Sequence, residues 1–235
     1  KKKQYIDIIA YVETNRKWAK CANYTHQIIT TAETGNHYTQ KVEEISKMIE
    51  TSKEDDWVVF IDGDAHYQGE SCDALEKILP TISKNDGTTC EFIAQSPPNV
   101  INTGVMLWKS TNTTKSLLKR WINEQSKPDE LLGYGAADQL SLQEVLLKYF
   151  LEKSYNGKCI KLRTQAKRNN CFRDTLSMEN RSGKGICLLG CDNDYPLQCP
   201  GCGSACNRTK ALFKHMTKLE RTYANGLEIP ESPNR

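Results

Sequence analysis

The sequence predicts an α/β domain: a mixed, mostly parallel sheet flanked by helices, with a cysteine-rich C-terminal appendage. Three observations predict it. Trp57 to Ile61 is an apolar run too short for a buried helix, and it ends in Asp62-Gly63-Asp64. Strand-like runs alternate with helix-period stretches through the first half, as in parallel strands joined by right-handed crossovers. Ten cysteines are present, concentrated toward the C-terminus.

The elements follow in order. Tyr5 to Val12 reads as a first strand from its β-branched and aromatic content. Asn15 to Ala22 reads as a short helix and Gln27 to Thr31 as a second strand. Gly35-Asn36 marks a turn. Val42, Ile45 and Ile49 recur at helix spacing from Tyr38 onward. The run Val58-Val59-Phe60-Ile61 reads as a strand buried on both faces, as in parallel sheets. Ser71 is placed to cap a helix through Leu79, with Pro80 closing it from outside. Cys90 to Ala94 and Val100 to Trp108 are strands, separated by Ser96-Pro97-Pro98. Asn112 to Glu124 is a helix with Leu117, Leu118, Trp121 and Ile122 on one stripe. Pro128 to Gly135 is loop. Ala136 to Tyr149 is a helix carrying Leu142, Val145, Leu146 and Tyr149. Lys158 to Arg163 fits a strand, residues 164–184 are polar and aperiodic, and Gly185 to Gly190 is a short apolar strand. A final helix is expected from Asn207 to Tyr223, with an irregular tail after Gly226. The chain reads as one catalytic domain, with a ligand-binding half (1–110), a second half (111–190) and the cysteine-rich loop with its helix (191–235).

Composition narrows the class. The apolar fraction of 38% supplies a core, and a net charge of +3 is too mild for a nucleic-acid stripe. No stretch reaches the apolar length of a membrane span, and no signal peptide is visible. Three lysines run almost directly into an apolar stretch. The expectation is therefore an excised catalytic region whose native anchor or signal lies elsewhere. The cysteine count suits disulfides in a secretory compartment. The rival is zinc, with Cys199-Pro-Gly-Cys202 as the knuckle and Cys187, Cys191 or Cys206 completing it. Asn-x-Ser/Thr sequons begin at Asn23, Asn112, Asn180 and Asn207.

Several residues have chemistry of their own. Asp62 and Asp64 stand where open α/β sheets bind ligands, beyond the carboxyl end of a strand. Converging carboxylates repel unless a cation lies between them, and hard divalent cations completed by phosphate oxygens suit such ligands. An Asp/Gly-rich turn is the plain alternative. Aspartyl-phosphate phosphatases place the same Asp-x-Asp after a strand, with a later acidic pair for magnesium. Only Asp192 and Asp194 stand out for that role. Asn102-Thr103-Gly104 offers an amide to a substrate hydroxyl, with Gly104 permitting close approach. The alternative there is a bulged strand entry. Asp138 and Gln139 either cap a helix or bind a polar substrate at its mouth. His66 and His215 are candidates to join the carboxylates. The basic stretch Lys158, Lys161, Arg163, Lys167, Arg168 and Arg173 either faces diphosphate or is simply solvated.

Taken together, these motifs resemble an A-type glycosyltransferase. More closely, they resemble the galactosyl/xylosyl transferase family of plant xyloglucan xylosyltransferases and fungal Golgi galactosyl- and mannosyltransferases. Lys41 and Ile45 look like that family's K-x-x-x-I helix. Trp57 to Ala65 looks like its W-[apolar]-D-x-D-A segment, and Asn102 to Leu107 like N-T-G-V-F-L. Ala137-Asp138-Gln139 looks like D-D-Q, Gly190-Cys191 like the end of H-F-x-G-C, and Ala211 to Tyr223 with Gly226 like the closing helix and its Y-G.

The resemblance implies a hexosyl- or pentosyltransferase that moves a sugar, with retention, from a UDP-linked donor to a glycan or glycoconjugate. It implies Mn2+ or Mg2+ bound by Asp64 and Asp62. Gly63, Lys41 and Asn102-Thr103-Gly104 would line the donor site. Asp138 and Gln139 would lie near the anomeric carbon. Ala10, Tyr11, Val12 and Glu13, at the end of the first strand, would touch the base. It also implies a Golgi-lumenal protein with a type II anchor, or a secreted one. Two departures stand out. The family's metal-binding His aligns with Cys187, a soft ligand poorly matched to manganese, so the metal would rely on diphosphate and water or recruit His215. Ala137 replaces the first Asp of D-D-Q. These departures keep open a degenerate, non-catalytic glycan-binding module, and the Asp-x-Asp pattern keeps open an aspartyl-phosphate phosphatase.

Overall fold

The computed structural model describes residues 2–30, 37–85, 88–96, 101–125, 137–162, 164–176, 182–191, 197–198 and 210–215. In chain order the elements are α1 (Lys2–Cys21), α2 (His37–Thr51), β1 (Trp57–Ile61), β2 (Ala65–Tyr67), α3 (Ala74–Ile82), β3 (Lys84–Asn85) and β4 (Thr88–Thr89). Next come β5 (Phe92–Gln95), β6 (Asn102–Lys109), α4 (Asn112–Gln125), α5 (Ala137–Leu151), a 3-10 turn (Glu152–Ser154), α6 (Gln165–Thr175), β7 (Ser182–Gly183), β8 (Ile186–Leu189) and β9 (Phe213–His215).

The central sheet runs β1-β6-β5-β8-β7. Alternate residues of its strands face two cores, as the period of two requires. Phe92, Ala94, Met106, Trp108, Ile186 and Leu188 face the core covered by α2, α4, α5 and α6. Ile93, Val105, Leu107, Cys187 and Leu189 face the opposite core, with Trp18 of α1, Leu75 of α3, Tyr67 and Phe213. Helices α2, α4 and α5 thus bury the stripes their periodicity marks: Val42, Ile45 and Ile49; Leu117, Leu118 and Trp121; Leu142, Val145 and Leu146.

The sheet is mixed, but it is not mostly parallel. Among the described residues only β5 and β8 run parallel; β1/β6, β5/β6 and β7/β8 are antiparallel. The two leading strands that would have supplied parallel neighbours for β1 do not form. Tyr5 to Val12 lies inside α1, and the described part of Gln27 to Thr31 has no regular structure. The buried positions Asn15, Trp18 and Ala19 recur at helix spacing, and that period outweighs the β-branched content of Tyr5 to Val12. Among the described residues β1 is consequently an edge strand. Of its five residues only Val58 is fully buried, not both faces as its apolar run suggests.

Other boundaries shift for local reasons. Helix α3 runs through Pro80 to the buried Ile82, and its Ser71 caps nothing because the hydroxyl donates to Asp73. Residues 158–161 form a turn beside Gly157 (φ +73°) rather than a strand. Helix α6 occupies the stretch that looked aperiodic; Thr164 caps it, accepting from the Lys167 N–H, and Arg168, Phe172 and Leu176 form its buried stripe. Residues 213–215, expected in a helix, are strand β9, paired antiparallel with β2. Residues 210–212 of that expected helix are turn and irregular; its remaining residues, the turn at 35–36 and the loop at 128–135 lie outside the described residues.

Disulfides join Cys21 to Cys72, Cys90 to Cys187 and Cys159 to Cys171, and Cys191 is also disulfide-bonded. They tie the body of the domain together rather than confining themselves to an appendage. Cys187 and Cys191 are therefore lost to any zinc site. Such bonds fit a secreted or lumenal protein. Among the described residues no helix is long and apolar enough to cross a membrane. Peptide mapping without reductant is expected to recover the 90–187 peptide pair as one linked species; free thiol at either cysteine would contradict this pairing.

The α5 helix carries one buried acid worth a test. Glu144 accepts from the Tyr155 hydroxyl at 2.7 Å and pairs with Lys148 at 3.3 Å. Burial pushes its pKa up, against the pull of Tyr155 and Lys148. An acid with a raised folded pKa stabilises the fold below its unfolded pKa and loses that contribution as pH rises through the folded one. Glu144→Gln should therefore gain melting temperature relative to wild type as pH rises from 4 to 7. A difference that is flat with pH, or that runs the other way, would refute this.

Candidate functional site

Strand β1 delivers Asp62 to the carboxyl edge of the sheet. Its N–H donates to the Gly104 carbonyl at 2.7 Å, continuing the β1/β6 ladder by one step. The Ala65 N–H then donates back to the Asp62 carbonyl at 2.9 Å. Asp62-Gly63-Asp64 is thus a turn between β1 and β2, and strand alternation does not set the two side chains. They still feel each other: the charge on Asp64 raises the pKa of Asp62. Asn15 of α1 fixes the exit from this turn. Its amide donates to the Ala65 carbonyl at 3.0 Å, and its side-chain oxygen accepts from the Tyr67 N–H at 2.9 Å.

Opposite lies Asn102-Thr103-Gly104, at the start of β6. Ala94 pairs with Met106, but Gln95 pairs with Asn102, so Thr103, Gly104 and Val105 are displaced from the β5 ladder. Such an irregularity re-aims side chains and is common beside active sites. Here it turns the Thr103 hydroxyl to Asp138 Oδ2 at 2.5 Å.

Lys41 connects the parts. It projects from α2 and uses all three ammonium donors: Asp62 Oδ1 at 3.0 Å, Asp138 Oδ2 at 3.0 Å and the Thr103 carbonyl at 2.9 Å. Its charge also lies 4.7 Å from the centre of the Phe60 ring. Burial opposes its charge, but Asp62 and Asp138 outweigh that and raise its pKa. For Asp62, burial is the largest influence and raises the pKa; Lys41 pulls it down, while Asp138 and Asp64 push it up. The cluster therefore holds more negative than positive charge. Asp138 does more than cap α5, since its Oδ2 is taken by Lys41 and Thr103. Its backbone is held as well, the carbonyl accepting from Trp121 Nε1 and from the Ser141 hydroxyl.

The structure thus gathers Lys41, Asp62, Thr103 and Asp138, with Gly63, Asp64, Asn102 and Gly104 beside them and half-buried Gln139 next to Asp138 in α5. Ala10, Tyr11, Val12 and Glu13 are a different case. They lie within a helix rather than at a strand end, and Glu13 is paired with Arg16 at 2.6 Å.

A divalent cation fits part of what is present. Asp62 and Asp64 offer hard oxygen ligands, and their mutual repulsion is what a cation relieves. Among the described residues no group of three or more His, Cys, Asp or Glu is assembled for a metal, so diphosphate oxygens or water would complete the shell. Cys187 contributes nothing to it, being bonded to Cys90. The β2/β9 register sets His215 opposite Ala65, one residue past Asp64. His66 sits on β2, opposite Lys214. Asp192 and Asp194 lie outside the described residues.

Sequence reasoning missed Asn15, Trp18 and the pair Gln95 and Gln198. Trp18 stacks on Tyr67 at 4.2 Å and donates to the Cys72 carbonyl. Its recurrence with Asn15 and Ala19 at helix spacing was the available signal. For the glutamines there was no local signal.

Comparison with known proteins is consistent with this arrangement. The family model for nucleotide-diphospho-sugar transferases matches residues 57–167, which include Asp62, Asp64, Asn102 and Asp138. No curated protein matches the chain. Among solved structures, a glycosyltransferase involved in the glycosylation of the major capsid of PBCV-1 matches with a TM-score of 0.51 and 15% identity, covering 94% of this chain and 90% of that one. The chain has the A-type glycosyltransferase fold, and the family match supports transfer of sugar from a nucleotide-diphospho-sugar.

Proposed function

We propose, from that fold and family match, that the chain is a metal-dependent transferase that moves a hexose or pentose from a UDP-sugar to a glycan acceptor, with retention. One observation carries the proposal: Lys41 joins Asp62, Thr103 and Asp138, from four separate segments, at the carboxyl edge of the sheet. Asp62 and Asp64 would hold Mn2+ or Mg2+ against the donor diphosphate, with His215 as a further ligand; when bound, such a cation would supply neutralising charge to the departing diphosphate. Thr103 and Lys41 fix the Asp138 carboxylate, so that Asp138 and Gln139 face the anomeric carbon in a set orientation. Asn102 and Gly104 receive the sugar. Residues 1–110 supply most donor contacts and 111–190 the acceptor side. A Golgi-lumenal or secreted location accords with the disulfides.

A thermal-shift screen of UDP-sugars tests the proposal, since a ligand that binds only the folded state raises apparent stability by mass action. A shift that appears only with nucleotide sugar and manganese together is expected. Magnesium-dependent release of phosphate from simple monoesters, with no nucleotide-sugar shift, would favour the phosphatase chemistry instead. Donor binding without turnover across an acceptor panel would leave a glycan-binding module.

A further inference from the structure

A chain of buried amides runs from the cysteine-rich loop to the sugar side of the site. Its polarity is set by backbone groups, which cannot reverse roles. The Gly104 N–H donates to Asn102 Oδ1 at 2.8 Å, so that atom is an oxygen. Gln198 must then present its amide nitrogen to the same oxygen, and does so at 2.8 Å. Gln198 is fully buried. Its neighbour Leu197 is held through both its N–H and its carbonyl. The Leu197 N–H donates to Gln95 Oε1 at 3.0 Å, and the Leu197 carbonyl accepts from the Phe213 N–H at 2.9 Å. Gln95 Nε2 in turn donates to the Leu189 and Gly190 carbonyls at 3.0 and 2.7 Å. The consequence falls on Asn102. Both lone pairs of its side-chain oxygen are occupied, so the carboxamide cannot flip without setting its NH2 against a donor. Among the described residues that NH2 meets no acceptor.

We propose that Gln198 is a positioning residue for donor recognition. It locks the Asn102 carboxamide with its NH2 presented to a lone pair on a hydroxyl or ring oxygen of the donor sugar. This rests on the sugar-transfer reading above, and it adds a role for Leu197-Gln198. Leu197 is tied through Phe213 to β9, and through β9 to β2, which leaves the Asp64 turn. One short segment thus braces both the carboxylate turn and the sugar contact. Preorganising a hydrogen-bond donor before the ligand arrives lowers the ordering cost of binding.

The test compares titration of UDP and of the UDP-sugar selected by the screen, both with Mn2+, on wild type, Gln198→Met, Asn102→Ala and the double variant. Gln198→Met is expected to weaken UDP-sugar about tenfold, the cost of one well-placed hydrogen bond, and to leave UDP within about twofold. In the Asn102→Ala background it should cost nothing more, because Gln198 acts through Asn102. Equal losses for UDP and UDP-sugar, or additive losses in the double variant, would overturn the proposal. Gln198→Glu is the second variant should Gln198→Met fail to fold. Its carboxylate has no donor for Asn102 Oδ1, and the same selective loss is expected. An independent readout is the Asn102 side-chain amide in protein labelled with 15N-asparagine. It should show hindered rotation in wild type and freer rotation in Gln198→Met; unchanged rotation would also overturn the lock. Wild type that binds no nucleotide sugar at all would overturn the sugar-transfer reading itself, and the donor role of Gln198 with it, while the rotation measurement still reports whether the lock exists.

Discussion

Asp64→Ala is expected to lower sugar transfer at least about 100-fold, the scale seen when one group stabilising developing charge is removed. The reasoning starts from the turn. Asp64 is half-buried beside Asp62, whose Oδ1 is already engaged by Lys41. Asp64 supplies the second carboxylate of the turn, so a divalent cation bound there would depend on it. Because Asp64 lies in a turn outside the two cores, the melting temperature should change little. The manganese-dependent shift with nucleotide sugar should vanish, and residual activity should match wild type in chelator. Full activity of the variant in chelator would remove the metal from the mechanism.

Lys41→Met is expected to cost about 3 kcal/mol of stability, measured by urea unfolding, as well as activity. The substitution keeps the apolar stem but leaves Asp62 and Asp138 facing each other with no counter-charge. Breaking a buried pair by removing one partner typically costs about 3–5 kcal/mol. The low end applies because the Asp62 side chain keeps 32% of its exposure, whereas that of Asp138 keeps 5%. Removing Lys41 removes the influence that lowers the Asp62 pKa, so that pKa rises further. A carboxyl with a raised folded pKa stabilises below its unfolded pKa and loses that contribution as pH rises through the folded one. The deficit of Lys41→Met should accordingly shrink as pH falls from 7 toward 4. Adding Asp138→Asn should recover part of the loss at neutral pH. A pH-independent deficit with no recovery would mean that Lys41 matters for packing alone.

Much of the fold was legible because its signals are local. Helices α2, α4 and α5 carry 3.6-residue stripes, and those stripes are buried. Strands β5, β6 and β8 are short apolar runs with terminators. Where two local signals competed, the reading went wrong. Tyr5 to Val12 has β-branched content and a helix-spaced continuation, and burial of Asn15, Trp18 and Ala19 decides for helix. The stretch before Leu176 looked structureless because its buried face mixes Arg168 with Phe172 and Leu176. Residues 213–215 could be read as helix until β2 claimed them as a partner.

The Asp62-Gly63-Asp64 segment, Asn102-Thr103-Gly104 and Asp138 were identifiable from residue type and order along the chain, and Lys41 through the family resemblance. What they do to one another was not. That Lys41 spends its three donors on two carboxylates and a carbonyl depends on α2, β1, β6 and α5 meeting at one edge of the sheet. Strand direction, the edge position of β1, the bonding of Cys187 to Cys90 and the amide chain through Gln198 are likewise contacts between residues far apart in sequence. Periodicity and turn chemistry act over a few residues and could be read directly. Pairing direction, burial and hydrogen-bond partners are settled only when distant segments compete for the same core and for each other's polar groups, and that competition is won in three dimensions.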